Sequence, residues 1–307
     1  MSRSRRAPSP LAAGGGRIAL LQGDSLAVWE AAALGRGPRQ VPLEGTGFGV
    51  GALADGSLLA LAVNAARETR GLRLRPSGET PEPLAGVLPI GTPRSHVFAA
   101  ARPDRFLLVS PSSRYSLYEV AIADGRMTLA ASEPMEGADH DTAAGLPDGS
   151  VVFHRAGALV RIAPGAAPRR TPTAMRVQEL SPGRGASVWA AGERGELASI
   201  ALTGAEAAPT VQTGATVVLD LDGGGDGAVA LLADDTRSAR SAVPASQAAP
   251  AWGNFRVARL GPDGAPRWET PLPGPAAFVR LAMGVVAVTD GETITALADA
   301  TGEILET

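Results

Sequence analysis

An internal repeat constrains the folding of this chain more than any other feature. Leu53 to Leu61 reads LADGSLLAL and Leu146 to His154 reads LPDGSVVFH, in each case an Asp-Gly turn followed by a short apolar strand. Weaker copies fill the gaps: GGGRIALLQGD near the start, RPDRFLLVS after Ala101, SPGRGASVWAA after Leu180, GGDGAVALLA after Gly223 and LAMGVVAVTD after Arg280. That makes seven. Each copy is followed by a strand, a turn and another strand, from SLAVWE to RQVPL in the first to ETITALADATGEILET in the last, which gives seven again. The turns inside these second segments are Pro76-Ser77-Gly78, Asp124-Gly125, Pro164-Gly165 and Pro262-Asp263-Gly264, residues that reverse a chain between paired strands.

Over 307 residues the average period is roughly 44, within the ~40–50 of a four-stranded propeller blade. The fold expected is all-β, a single β-propeller of about seven four-stranded blades. Gly 38 and Pro 25 support it, because both residues serve turns and interrupt helices. The stretch from Leu26 to Leu34 has the most helical pattern, but it is short and runs into glycines, so it reads as strand. Copies such as FLLVS and GVVAVT are apolar throughout rather than alternating, as strands buried on both faces must be.

Residues 1–13 carry Arg3, Arg5 and Arg6 among Ser, Pro and Ala and read as a disordered basic tail, with the propeller over 14–307. The chain reads as beginning near a second strand and ending on an outermost one. Closing the ring must therefore recruit residues 7–16 or leave one blade short. An insertion at 233–254 separates two strands of the sixth blade; Arg237, Arg240 and Trp252 within it are candidate contacts for an acidic protein partner. Tyr115, Tyr118 and Trp189 could anchor an interface, with strand packing the default.

Composition excludes several classes of function. A net charge of −3 and a pI near 5.7 offer no general attraction to nucleic acid or anionic lipid. With Cys 0 there is no thiolate nucleophile and no cysteine-ligated metal. No apolar run has the length of a signal sequence or a ~20-residue span, so a cytoplasmic location without membrane is expected.

No G-x-S-x-G elbow, H-E-x-x-H helix, P-loop or EF-hand loop is present, and no cofactor is expected. One constellation could hold a divalent metal. His96 lies eight residues before Asp104 and His140 eight before Asp148, so both fall at the start of innermost strands in neighbouring blades, and Asp139 and Asp141 flank His140. The plainer reading is that His96, Asp139, His140 and Asp141 solvate a wet channel mouth. His154, ending an apolar strand, reads as structural.

The last repeat, TITALADATGEILET, resembles the quinoprotein-like (PQQ-type) blade, with its strand, Asp-Ala-Thr-Gly turn and closing strand between Ala298 and Leu305. The resemblance implies a docking tryptophan in the preceding blade, where Trp268 follows Gly264. The other blades lack that tryptophan, and the Gly-His and Trp-Asp pairs of WD-type repeats are absent. The whole chain, through GFGVGALADGSLLALAV, also resembles the β-propeller component of bacterial MoxR, von Willebrand A and β-propeller ternary systems. That resemblance implies a non-catalytic scaffold for protein-protein interaction beside an AAA+ ATPase and a von Willebrand A protein. The alternative is a lactonase-like metal-dependent hydrolase with its ligands at the central channel.

Overall fold

The computed structural model describes residues 9–78, 80–86, 88, 96–110, 116–135, 143–203, 210–235 and 252–306. Its strands follow the chain as antiparallel meanders of four. The first unit is β1 (Leu11–Gly14), β2 (Arg17–Gln22), β3 (Ser25–Glu30) and β4 (Arg39–Pro42); the second is β5 (Thr46–Ala52), β6 (Leu58–Val63), β7 (Thr69–Leu74) and β8 (Glu82–Gly86). Next come β9 (His96–Ala99), β10 (Arg105–Ser110), β11 (Ser116–Ala123) and β12 (Arg126–Pro134), then β13 (Ala143–Gly145), β14 (Val151–Arg155), β15 (Ala158–Ile162) and β16 (Arg169–Pro172). The fifth unit is β17 (Val177–Pro182), β18 (Ser187–Gly192), β19 (Glu196–Ala201) and β20 (Val211–Gln212). The sixth is β21 (Val217–Gly224), β22 (Gly227–Asp235), β23 (Trp252–Leu260) and β24 (Pro266–Pro271), and the last is β25 (Phe278–Ala282), β26 (Val285–Thr289), β27 (Ile294–Ala298) and β28 (Ile304–Glu306).

The turn-plus-apolar segments of the repeat are β2, β6, β10, β14, β18, β22 and β26, the second strand of every unit. Five units form separate four-stranded sheets, while the second and third share one eight-stranded sheet. They join at their outer strands, where Arg126 and Met127 of β12 pair in parallel with Ala85 and Gly86 of β8. Gly86 permits the approach, since a Cβ there would stand 2.7 Å from the Met127 carbonyl oxygen.

The first strands touch in succession: β1 with β5, β5 with β9, β9 with β13, β13 with β17, β17 with β21, β21 with β25, and β25 with β1. The units therefore stand radially round a channel. Every buried cluster lies between two consecutive units. Ala19, Leu26 and Val28 pack against Val50, Leu58 and Ala60 of the second unit, whereas their neighbours Ile18, Leu20 and Ala27 pack against Ala282, Val285 and Ala287 of the last. Successive residues of one strand thus fill two different cores. This explains the continuous apolar runs, with each fully buried large aliphatic side chain contributing roughly 1.5–3 kcal/mol.

Two boundaries differ from the sequence reading. The ring begins at Leu11 and not at residue 14, because β1 pairs with β2 from Leu11↔Leu20 to Gly14↔Arg17. The apolar Leu11 and Ala12 are buried, so they belong to the core rather than to a tail. β1, within residues 7–16, supplies the first strand of a four-stranded sheet. The stretch Leu26 to Leu34 is strand only to Glu30, after which Ala31–Arg36 forms a 3-10 helix that buries Ala31 and Leu34 on the seam. Of the insertion at 233–254, Ala233 to Asp235 end β22 and Trp252 to Asn254 begin β23; Arg237 and Arg240 lie outside the described residues.

Among the described residues no strand pairs across the junction of the last and first sheets. Closure rests on the apolar cluster there, helped by Gln22 Nε2 donating to the Glu292 carbonyl at 3.2 Å. Polar staples tie other neighbours together. Arg17 donates to the Arg75 and Gly78 carbonyls of the next unit, and Arg73 joins Asp55 at 2.6 Å while reaching the Pro103 carbonyl. Burial acts to raise the Asp55 carboxyl, but hydrogen bonds from Ser57 and the charge of Arg73 hold it below the usual aspartate value.

The contact implied for Trp268 is present. Its indole N–H donates to the Asp299 carbonyl at 2.7 Å, and the ring lies on Gly302 of the last unit. Gly302 has φ +73°, and a Cβ there would stand 2.6 Å from Trp268 Cε3. Left-handed strain and overpacking add, so Gly302→Ala should cost about 2–4 kcal/mol. Urea unfolding measures it; a loss below about 1 kcal/mol would show that the tryptophan is not docked as described.

Candidate functional site

The channel is walled by first strands, whose channel-facing edges have no partner strand among the described residues. Their N–H groups need acceptors. In the sixth unit β21 supplies two, because VVLDLDGG places Asp220 and Asp222 two residues apart in an otherwise apolar strand. Asp220 Oδ2 accepts the Val279 N–H at 2.7 Å and Asp222 Oδ2 accepts the Leu281 N–H at 2.7 Å, both on β25. Arg280, between those two residues, donates Nη1 to Asp220 at 2.8 Å and also reaches the Val279 carbonyl. On the other side, Ser181 of β17 accepts the Gly223 N–H at 2.7 Å and points its hydroxyl at Asp222 Oδ1, 3.5 Å away. Three consecutive first strands are thereby tied by one charged network.

Its electrostatics follow from burial. Enclosure pushes the Asp222 carboxyl above the ordinary 3.8; Arg280 and the Leu281 and Gly223 N–H groups pull it back, and Asp220 adds to the rise. Burial alone would lower Arg280, but the carboxylates of Asp220 and Asp222, with Glu179 further off, more than reverse this and hold it above its usual value. The arrangement contains a serine and a carboxyl, but no imidazole joins them within the described network. It can neutralise charge and cap backbone donors; nucleophilic chemistry would need a base at Ser181.

The sequence candidates among the described residues fall outside this network. His96 is the first residue of β9, half-buried and stacked on Phe98 with ring centroids 5.9 Å apart. It thus occupies the expected start of a first strand. Asp139, His140 and Asp141 lie outside the described residues, as does Tyr115. Asp104 and Asp148 sit in tight turns, engaged by Arg102 at 3.0 Å and by Arg161 respectively. His154 is half-buried on the second strand β14, opposite Leu159. Trp189 is buried in the core between the fifth and sixth units, and Tyr118 packs on the core between the second and third. Trp252 is exposed at the start of β23, opposite Asp235. Among the described residues no group of three or more His, Asp or Glu side chains is placed to share a metal ion.

Sequence reasoning missed Asp220, Asp222 and Arg280. The signal was the alternation of two aspartates in an apolar strand, followed one unit later by a lone arginine in FVRLA.

No protein-family model matches the chain, and no curated protein matches it in sequence. Solved structures do match in shape. AztD of Citrobacter koseri is similar with a TM-score of 0.56 at 13% identity, over 98% of this chain and 86% of that one. A chain of the mitotic checkpoint complex gives 0.64 at 11%, over 95% and 89%, and the Pan2 WD40 domain of Neurospora crassa gives 0.56 at 14%, over 85% and 79%. The fold is a β-propeller. At these identities the likeness extends to architecture alone.

Arg280→Leu tests the network in this propeller. It leaves two enclosed carboxylates without their counter-charge and should cost about 3–5 kcal/mol at neutral pH. A carboxyl whose folded pKa is raised contributes most below its unfolded value near 3.8, and that contribution is lost as pH rises through the folded value. The penalty should therefore be smaller at acidic than at neutral pH. Urea unfolding of both proteins at the two pH values checks it; an equal penalty would contradict the account.

Proposed function

We propose that the chain is a non-catalytic, seven-bladed propeller that docks protein partners in a cytoplasmic bacterial assembly. In this reading the eight-stranded sheet is two blades touching at their outer strands. One observation supports the functional part: among the described residues, Asp220, Asp222 and Arg280 at the channel are committed to one another and to backbone donors of the next unit. They fasten the ring, which leaves its loop faces as the surfaces available for recognition. The AAA+ ATPase and von Willebrand A protein implied by the sequence resemblance are the first partners to try.

Metal titration of the purified full chain separates this reading from the lactonase-like one. The scaffold should retain neither zinc nor calcium stoichiometrically, and His140→Ala should leave its unfolding midpoint in added metal unchanged. One tightly held ion per chain, lost in His140→Ala, would overturn the scaffold in favour of the hydrolase.

A further inference from the structure

A second feature, independent of the docking reading, lies on the tight-turn face between the sixth and last units. A cavity of about 430 Å³ is walled by Asp226 in the β21–β22 turn, Arg259 on β23, Arg267 on β24, Leu281 on β25, Met283 in the β25–β26 turn and Asp299 in the β27–β28 turn. That is within the range of small-molecule sites.

Its charges are arranged unusually. Arg259 is 1% exposed, with Nε on Asp299 at 2.7 Å and Nη1 on the Leu260 carbonyl at 3.0 Å. Nη2 makes no hydrogen bond within the described residues and is not sealed from water, so the guanidinium keeps one donor open in this wall. Arg267 and Asp226 are exposed on the same wall, and among the described residues neither forms an ion pair, with the other or with any group. The cavity thus offers two cationic donor groups, one separate carboxylate and an apolar side formed by Leu281 and Met283. Met283 is 80% exposed on its turn.

An anion alone would leave Asp226 unanswered, and a cation alone would leave Arg267 and Arg259 Nη2 unanswered. We propose that this cavity binds a small zwitterion of the α-amino acid class. The carboxylate meets Arg267 and Arg259 Nη2, the ammonium meets Asp226, and an apolar side chain lies on Leu281 and Met283. Charge-assisted hydrogen bonds at both ends select for the pair of charges.

Isothermal titration of the full chain with L-leucine tests this. The expected result is saturable binding of one ligand per chain, weakened about tenfold or more for N-acetyl-L-leucine, which lacks the ammonium, and for L-leucinamide, which lacks the carboxylate. Asp226→Asn and Arg267→Gln alter exposed side chains and should keep the parent's urea midpoint while weakening L-leucine by a similar factor. Absence of saturable binding would overturn the proposal, and so would equal binding of either analogue or unchanged binding in both variants. Binding of the N-acetyl compound as tightly as L-leucine would mark a carboxylate site only.

Discussion

Everything in this molecule depends on the packing of one sheet face against the next. A four-stranded meander cannot bury both its faces alone. Here each is covered by its two neighbours, so Ile18 and Ala19, adjacent in sequence, belong to different cores. Stability is a property of the ring, and removing one interface exposes two faces. The same geometry hides most of the flat surfaces through which sheets aggregate, leaving only short outer edges such as β20 and β28.

That constraint is why the fold was legible in the sequence. Apolar runs bounded by Asp-Gly or Gly-Gly turns marked the second strands, and the following strand-turn-strand segments marked the third and fourth. The first strands were harder to see. β13 is only Ala-Ala-Gly, and β1 lies in LAAGGG, a stretch whose small residues and glycines resemble a tail. What makes β1 a strand is the last unit packing over Leu11, a contact 270 residues or more distant in the chain. The shared edge between β8 and β12 was equally invisible, since it depends on Gly86 admitting the Met127 backbone.

The candidate site was less legible. The histidines read as candidates because His96 and His140 each stand eight residues before a turn aspartate, with Asp139 and Asp141 beside His140. Among the described residues, the structure brings together at the channel two aspartates and an arginine from different units. Their relation is set by the juxtaposition of β21 and β25, with Val279 and Leu281 presenting N–H groups to the acids. Sequence spacing within one unit shows the two aspartates but not the arginine and N–H groups they meet. The tryptophan contact was readable by contrast, because Trp268 and the Asp299–Gly302 turn each match a recurring blade pattern.

The ring closes through the apolar cluster between the last and first units and the Gln22 hydrogen bond, with no strand pairing there among the described residues, and is nonetheless as firm at that junction as elsewhere. Native-state hydrogen exchange followed residue by residue tests it most directly. Amides of β2 and β26, which flank the junction, should exchange only with global unfolding, at the same opening free energy as those of β10, β14 and β18. Exchange of β2 and β26 through a lower-energy opening, with the other second strands still protected, would contradict it.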